Sequence, residues 1–227
     1  MDRYDSRSRS STRSRRSPQR DHPYDRNSSR NKRYEDDDLE VVPDNSIKVS
    51  ATSDVTALSQ QISDSCLNND PHTLLTIGNN SINQAVKGIA VANAELNKRN
   101  LQLTFQPAFR DENRTRPRIA FYLSTSRYRQ DDLHEDESDS TQLTVAGQSK
   151  IKPVAGAIAG RIRENTYVVA TAVGVDAVSN AVLAAGNARL YLESEGLDVK
   201  VLPAFTKIEK NGQSLNALRF ICLSERI

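Results

Sequence analysis

The chain has 227 residues, with 31 Lys or Arg against 29 Asp or Glu and a formal net charge of +2. That length holds one or two domains. The longest apolar stretch, "YVVATAVGV" at 167–175, is too short to span a bilayer, and no apolar leader follows Met1, so a soluble protein of a reducing cytoplasm is expected, with no membrane partner.

The charge is unevenly spread. Residues 1–34 hold 11 Lys or Arg and 4 acids, and "EDDDLE" at 35–40 follows with five acids. Residues 1–43 read as a disordered Arg/Ser-rich arm. Arg7, Arg9, Arg13, Arg15 and Arg16 can neutralise phosphates, and Tyr4, Tyr24 and Tyr34 are interleaved with the basic residues. The plain alternative is a solubilising tail.

The first folded segment spans 44–125. "SIKVSA" reads as a strand. Ser53 or Asp54 caps a helix with Val55, Leu58, Ile62 and Cys66 on one face. "TLLTI" is a buried strand ending at Gly78, where positive φ suits a turn. A second helix follows Ser81, striped by Ile82, Ala85, Val86, Ile89 and Leu96. Leu101, Leu103 and Phe105 alternate as a strand does. "RDENRTRP" is a hairpin connection and "RIAFYLS" the last strand. An acidic linker spans 126–140, and its "QDDLHEDESDS" carries six acids.

The second segment, 141–227, repeats the order. "QLTVAG" is a strand, and Pro153 suits the first turn of a helix. "VVATAV" is a strand ending at Gly174. Val178, Ala181, Val182, Ala185 and Leu192 stripe the next helix. "LDVKVLPAF" and "NALRFICLS" form a hairpin joined by "TKIEKNGQS", with Asn211-Gly212 as its turn. Each unit is β-α-β-α-β-β, which gives a mixed four-stranded sheet with two helices on one face, an α/β (α+β sandwich) architecture. Pro107 and Pro203 lack an amide donor, so each belongs at a strand edge or a bulge.

Sliding the chain by 96 residues aligns the two segments without a gap from Ile47 to Phe109. Ser53 meets Ser149, Gly78 meets Gly174, Ala85-Val86 meets Ala181-Val182, and "FQPAF" at 105–109 meets "VLPAF" at 201–205. A fixed period of matching apolar and turn positions marks a duplicated unit. Beyond Phe109 the second copy is about four residues longer, which sets "FYLS" near "ICLS". The repeated Pro-Ala-Phe reads as packing, because it ends an apolar alternation.

The second copy, through "LTVAGQSKIKPVAGAIAGRIREN", "AVGVDAVSNAVLAAGNARLYL" and "VKVLPAF", resembles the stage V sporulation protein S family, of the Alba-like group. The first copy resembles it more weakly, through "VSATSDVTALSQQI", "TIGNNSINQAVKGIAVANAEL" and "FQPAF". The resemblance implies the β-α-β-α-β-β fold, pairing of domains, and a nucleic-acid-binding role. In the wider Alba group a basic first loop and a basic β-hairpin grip nucleic acid. Here the loop offers Lys150 and Lys152, and the hairpin Lys207 and Lys210. The first copy departs from that pattern: "SDVTAL" has no lysine, while its hairpin carries Arg110, Arg114, Arg116 and Arg118. Two linked copies suit an internal pair across a pseudo-twofold axis, and a homo-oligomer is the other arrangement.

No enzyme is expected. His22, His72 and His134 lack companions at metal-ligand spacing, and no base stands with a nucleophile and a third orienting group. Cys66 and Cys222 sit in apolar patterns without CxxC spacing, so buried free thiols are expected, with no metal and no cofactor. Two functional classes remain. One is a non-catalytic binder of DNA or RNA with little sequence preference, regulatory or nucleoid-associated, using Lys150, Lys152, Lys207, Lys210, Arg114, Arg116, Arg118 and the arm. The other is a structural or regulatory assembly protein, in which the small-residue helix "VAGAIAGRI" lets helices approach closely.

Overall fold

The computed structural model describes residues 44–111, 117–128, 140–210 and 212–227, all within one compact unit, Asp38–Ile227. In chain order the elements are β1 (Ser46–Val49), α1 (Val55–Leu67), β2 (Thr73–Ile77), α2 (Asn79–Asn97), β3 (Leu101–Phe109) and β4 (Arg118–Arg127). The second unit gives β5 (Thr141–Val145), α3 (Ile151–Arg163), β6 (Val168–Ala172), α4 (Val175–Leu192), β7 (Leu197–Lys210) and β8 (Gln213–Arg226).

The two β-α-β-α-β-β units are present. Their sheets are not separate, however: the strands form one eight-stranded sheet in the order β1-β2-β4-β3-β7-β8-β6-β5. β3 and β7 pair antiparallel at its centre, in register at Phe105↔Val201. These two residues are themselves 96 apart, so each unit offers the same position to the other. That is the signature of a local twofold axis through the pair, and the two units are joined edge to edge inside one chain.

The prolines explain why the seam is short. Pro107 and Pro203 stand two residues beyond Phe105 and Val201 and have no N–H to extend the ladder. Each lies at the edge of its own four-strand half, as the sequence demands, but that edge has become the interior of the joined sheet. Their carbonyls bond instead to helix side chains of the opposite unit. Asn93 Nδ2 donates to Pro203 O at 3.4 Å and Arg189 Nη1 to Pro107 O at 3.0 Å. These are twin contacts, since Asn93 and Arg189 are also 96 apart. The Pro-Ala-Phe segment recurs because it is the seam.

Backbone geometry repeats at the same period. Asn69 and Asn165 have φ of 57° and 55°, Asn100 and Gly196 have 57° and 67°, and Gly78 and Gly174 have 87° and 89°. At Gly78 and Gly174 ψ is 167° and 164°, a region open in practice to glycine alone. Each glycine turns a strand into a long helix. Asp54, rather than Ser53, caps α1: its Oδ1 accepts from Ala57 N at 2.7 Å. Ser81 lies inside α2, where its hydroxyl accepts from Ile77 N at 2.9 Å.

One alignment shifts. β2 pairs Leu74 with Phe121, and β6 pairs Ala170 with Phe220. The twin of Phe121 is therefore Phe220, not Ile221, and the second hairpin is longer by three residues. A one-residue slip would send these rings to the other face of the sheet. Both are buried beneath the helices with Leu74, Ala170, Phe105 and Val201. The nine-residue "TKIEKNGQS" is also mostly strand, because β7 runs to Lys210 and β8 starts at Gln213.

The seam is asymmetric in charge. Arg189 grips Asp198 through Nε at 2.7 Å and Nη2 at 2.9 Å. Gln106 of the first unit donates to the same carboxylate at 2.8 Å and to Glu225 at 3.1 Å. The twins of Arg189 and Asp198 are Asn93 and Gln102, and the buried Gln102 Nε2 has no hydrogen-bond partner among the described residues. Asp198 is only 8% exposed, so removing its cation strands a buried charge. Arg189→Ala is expected to lower the unfolding free energy in urea by about 3 kcal/mol. Adding Asp198→Asn to that variant is expected to restore more than half of the loss.

Candidate nucleic-acid interface

Arg7, Arg9, Arg13, Arg15, Arg16, Arg114 and Arg116 lie outside the described residues. The remaining candidates fall on two elements of the second unit and one of the first.

The first loop of the second unit, residues 146–150, is rigidly tied. Ser149 Oγ accepts from Ala146 N at 2.9 Å. Asn180 Nδ2, from α4, donates to the carbonyls of Ala146, Gly147 and Ser149 at 3.1, 2.9 and 3.4 Å. The first unit has the same device in Ser53, bonded to Ser50 N at 2.9 Å, with Gln84 Nε2 on Ser53 O at 2.9 Å. Gly147 packs against Asp176. Asp176 in turn accepts from Asn79 Nδ2 at 2.9 Å, and Ser179 Oγ donates to Asn79 Oδ1 at 2.9 Å. The loop thus sits where the starts of α2 and α4 meet.

At the end of this loop the units part company. Asp54 and Lys150 are twins, both at the N-cap of a helix, with φ, ψ of −70°, 123° and −75°, 123°. Asp54 caps its helix. Lys150 makes no cap hydrogen bond and cannot, since an ammonium has no acceptor. Losing a capping side chain costs about 1 kcal/mol. A cation there also opposes the positive end of the helix dipole, and Lys152 adds a second in the first turn. Both lysines are exposed.

The other basic element is the hairpin. Ala172↔Leu218 and Leu218↔Phe205 form the last row in which β6 supports β8 and β7. Beyond it Thr206–Lys210 pair with 213–217 alone, a two-stranded ribbon of about 16 Å. Lys207 stands opposite Asn216 and Lys210 opposite Gln213. Because β3 and β7 are antiparallel, the two hairpins leave the sheet in opposite directions.

Ion pairing sets these lysines apart from most other cations of the second unit; Arg219 and Arg226 are the exceptions, with no acidic partner among the described residues. Arg161 pairs with Glu164, Arg163 with Glu195, Arg189 with Asp198 and Lys200 with Glu225. The hydrogen bonds from Arg163 hold the Glu195 carboxyl below its ordinary range. Lys150, Lys152, Lys207 and Lys210 have no acidic partner among the described residues. Arg118 differs: it is partly buried, with Nε 3.5 Å from Asp111 Oδ2. Arg219 was not singled out from the sequence. It shares the helix-free face of the sheet with Ile221, which only the strand register reveals.

The cysteines stand apart from this surface. Cys66 and Cys222 are free and buried. Desolvation pushes the thiols up to about 11 and about 12. The chain therefore keeps both thiols protonated when folded, and the unfolded chain releases them first as pH rises above the ordinary value of 9.0. Stability carried by the neutral thiols is full below pH 9.0 and declines from there, toward about pH 11 for Cys66 and about pH 12 for Cys222. Alkylation by a maleimide at pH 8 is expected to leave both thiols unmodified in the folded chain and to modify both in denaturant, read by intact mass.

These features define a class of protein: an α/β unit duplicated within one chain and paired with itself across a sheet seam, with a tied loop and a projecting ribbon in the second copy. The family model described as Stage V sporulation protein S (SpoVS) matches residues 45–124 and again 141–225. The chain belongs to this family and carries two copies of it in tandem. No helix among the described residues is long and apolar enough to cross a membrane.

Proposed function

We propose that the chain is a non-catalytic binder of nucleic acid with little sequence preference. The supporting observation is Lys150. The first unit shows that this backbone accepts a capping aspartate, yet the second unit holds a lysine there, uncapped and at the wrong end of a helix dipole. A residue that breaks a local stability rule without compensation marks a functional site. Lys152, Lys207 and Lys210 extend the same unpaired charge along the loop and ribbon. Polyanionic phosphate is the partner that rewards it. Arg118, with Arg114 and Arg116 from outside the described residues, would supply the first unit's share, and the arginines of the arm would add affinity.

The domains themselves carry little net charge, near +1 for 44–125 and +3 for 141–227. Binding through them is therefore modest and strongly salt-dependent. A structural assembly role is the second reading. It is supported by the Gly156 and Gly160 face of α3: a Cβ added at either position would meet nothing within 4 Å, so this small-residue face stands open, while Ala155, Ile158, Ala159 and Ile162 of the same helix are buried in the core.

Lys150→Asp separates the readings. It is expected to stabilise the fold by about 1 kcal/mol in urea and to weaken binding to mixed-sequence DNA and RNA alike. Lys150→Ala with Lys152→Ala is expected to make the slope of log affinity against log salt shallower by about 2. Unchanged binding in both variants removes the loop from the interface. Salt-resistant self-association in light scattering, with no nucleic-acid binding, favours assembly.

A further inference from the structure

Phe109 and Phe205 are twins at the period of 96, yet they are placed differently. Phe109 lies on α4 of the opposite unit: a Cβ on Gly186 would stand 3.1 Å from its Cε2 and 3.4 Å from its Cζ. The ring seats there because Gly186 has no side chain. The twin of Gly186 is Ala90, in α2. Its methyl occupies the space that the symmetric seat would need, and Phe205 is 52% exposed.

Phe205 lies at the end of the sheet from which the Lys150 loop and the β7–β8 ribbon project. It shares a row across the sheet with Leu218, Ala172 and Val145, all three buried. The loop bearing Lys150 starts directly after Val145. Lys207 is two residues from Phe205 and so points from the same face of β7. A half-exposed phenyl ring thus stands at the end of the sheet that carries Lys150, Lys152 and Lys207, none with an acidic partner among the described residues.

We propose that Phe205 is a stacking platform for an unpaired base, so that this surface takes single-stranded rather than duplex nucleic acid. The proposal rests on the nucleic-acid reading above and narrows it. Bases inside a duplex already have both faces covered. A ring set among phosphate-binding cations gains a partner only where a base is free to lie on it. Ring stacking is tolerant of sequence because every base has a flat π-face, in keeping with lysines that recognise backbone alone.

The chain contains no tryptophan, so Phe205→Trp in the full chain provides a single indole reporter. Its emission is expected to be quenched by mixed-sequence single-stranded DNA and RNA in step with the anisotropy of a labelled strand, and to be unchanged by the matching duplexes. Phe205→Leu, which keeps an apolar side chain, is expected to weaken single-strand binding about tenfold with the salt slope and duplex affinity unchanged. Phe205→Tyr is expected to bind as the parent does. A strand that binds without altering indole emission overturns the proposal. So does Phe205→Leu binding as tightly as the parent, or losing single strand and duplex equally; these leave the broader nucleic-acid reading standing. A parent chain that binds no nucleic acid overturns both.

Discussion

Antiparallel pairing of β3 with β7 governs the rest of the molecule. A four-stranded unit of this kind leaves one long strand with an open edge, and an open edge invites pairing with another chain. Here the edge of each copy is closed by the other, and the helices α2 and α4 cross the join. Residues that would end one small sheet become the middle of a large one. Phe105 and Val201 pack in a shared core, and the carbonyls of Pro107 and Pro203 take their donors from the opposite helices. A linker within one chain makes that encounter intramolecular, so pairing no longer depends on concentration.

Once paired, the copies are free to diverge, and they have done so at matched positions. Arg189 and Asp198 form a partly buried ion pair where Asn93 and Gln102 are neutral. Such a difference favours one unit against the other over either unit against itself. A second copy paired with its own kind would put Leu202, the twin of Gln106, beside Asp198 and Glu225, and would lose the amide that bonds both carboxylates. Gly186 and Ala90 differ by a methyl, which seats one phenylalanine and exposes the other. Asp54 and Lys150 differ by two units of charge on the same backbone. Stability is favoured in the first copy, and free positive charge is displayed in the second.

The two surfaces follow from this division. The tied loop holds Lys150 and Lys152 at the start of α3, while the ribbon carries Lys207 and Lys210 clear of the sheet. The other cations of the second unit are mostly held by acids, so net charge alone understates how much positive potential is available at these two places.

The sequence by itself determined the repeat, the order of elements and the buried stripes, because periodic burial writes itself directly into apolar spacing. It also determined the turns at Gly78 and Gly174, which occupy a backbone region that few other residues tolerate. The loop and hairpin lysines were legible as charge in polar connections. Tertiary structure alone decided that two small sheets become one, because strand edges carry no residue code for their partner. It decided the offset that makes Phe220 the twin of Phe121, which rests on pairing register rather than on textual likeness. It also decided which charges are free and which aromatic ring is exposed. Those properties depend on what lies across the seam: an acid within reach of a guanidinium, or one methyl group on a helix that the sequence places over a hundred residues away from Phe205.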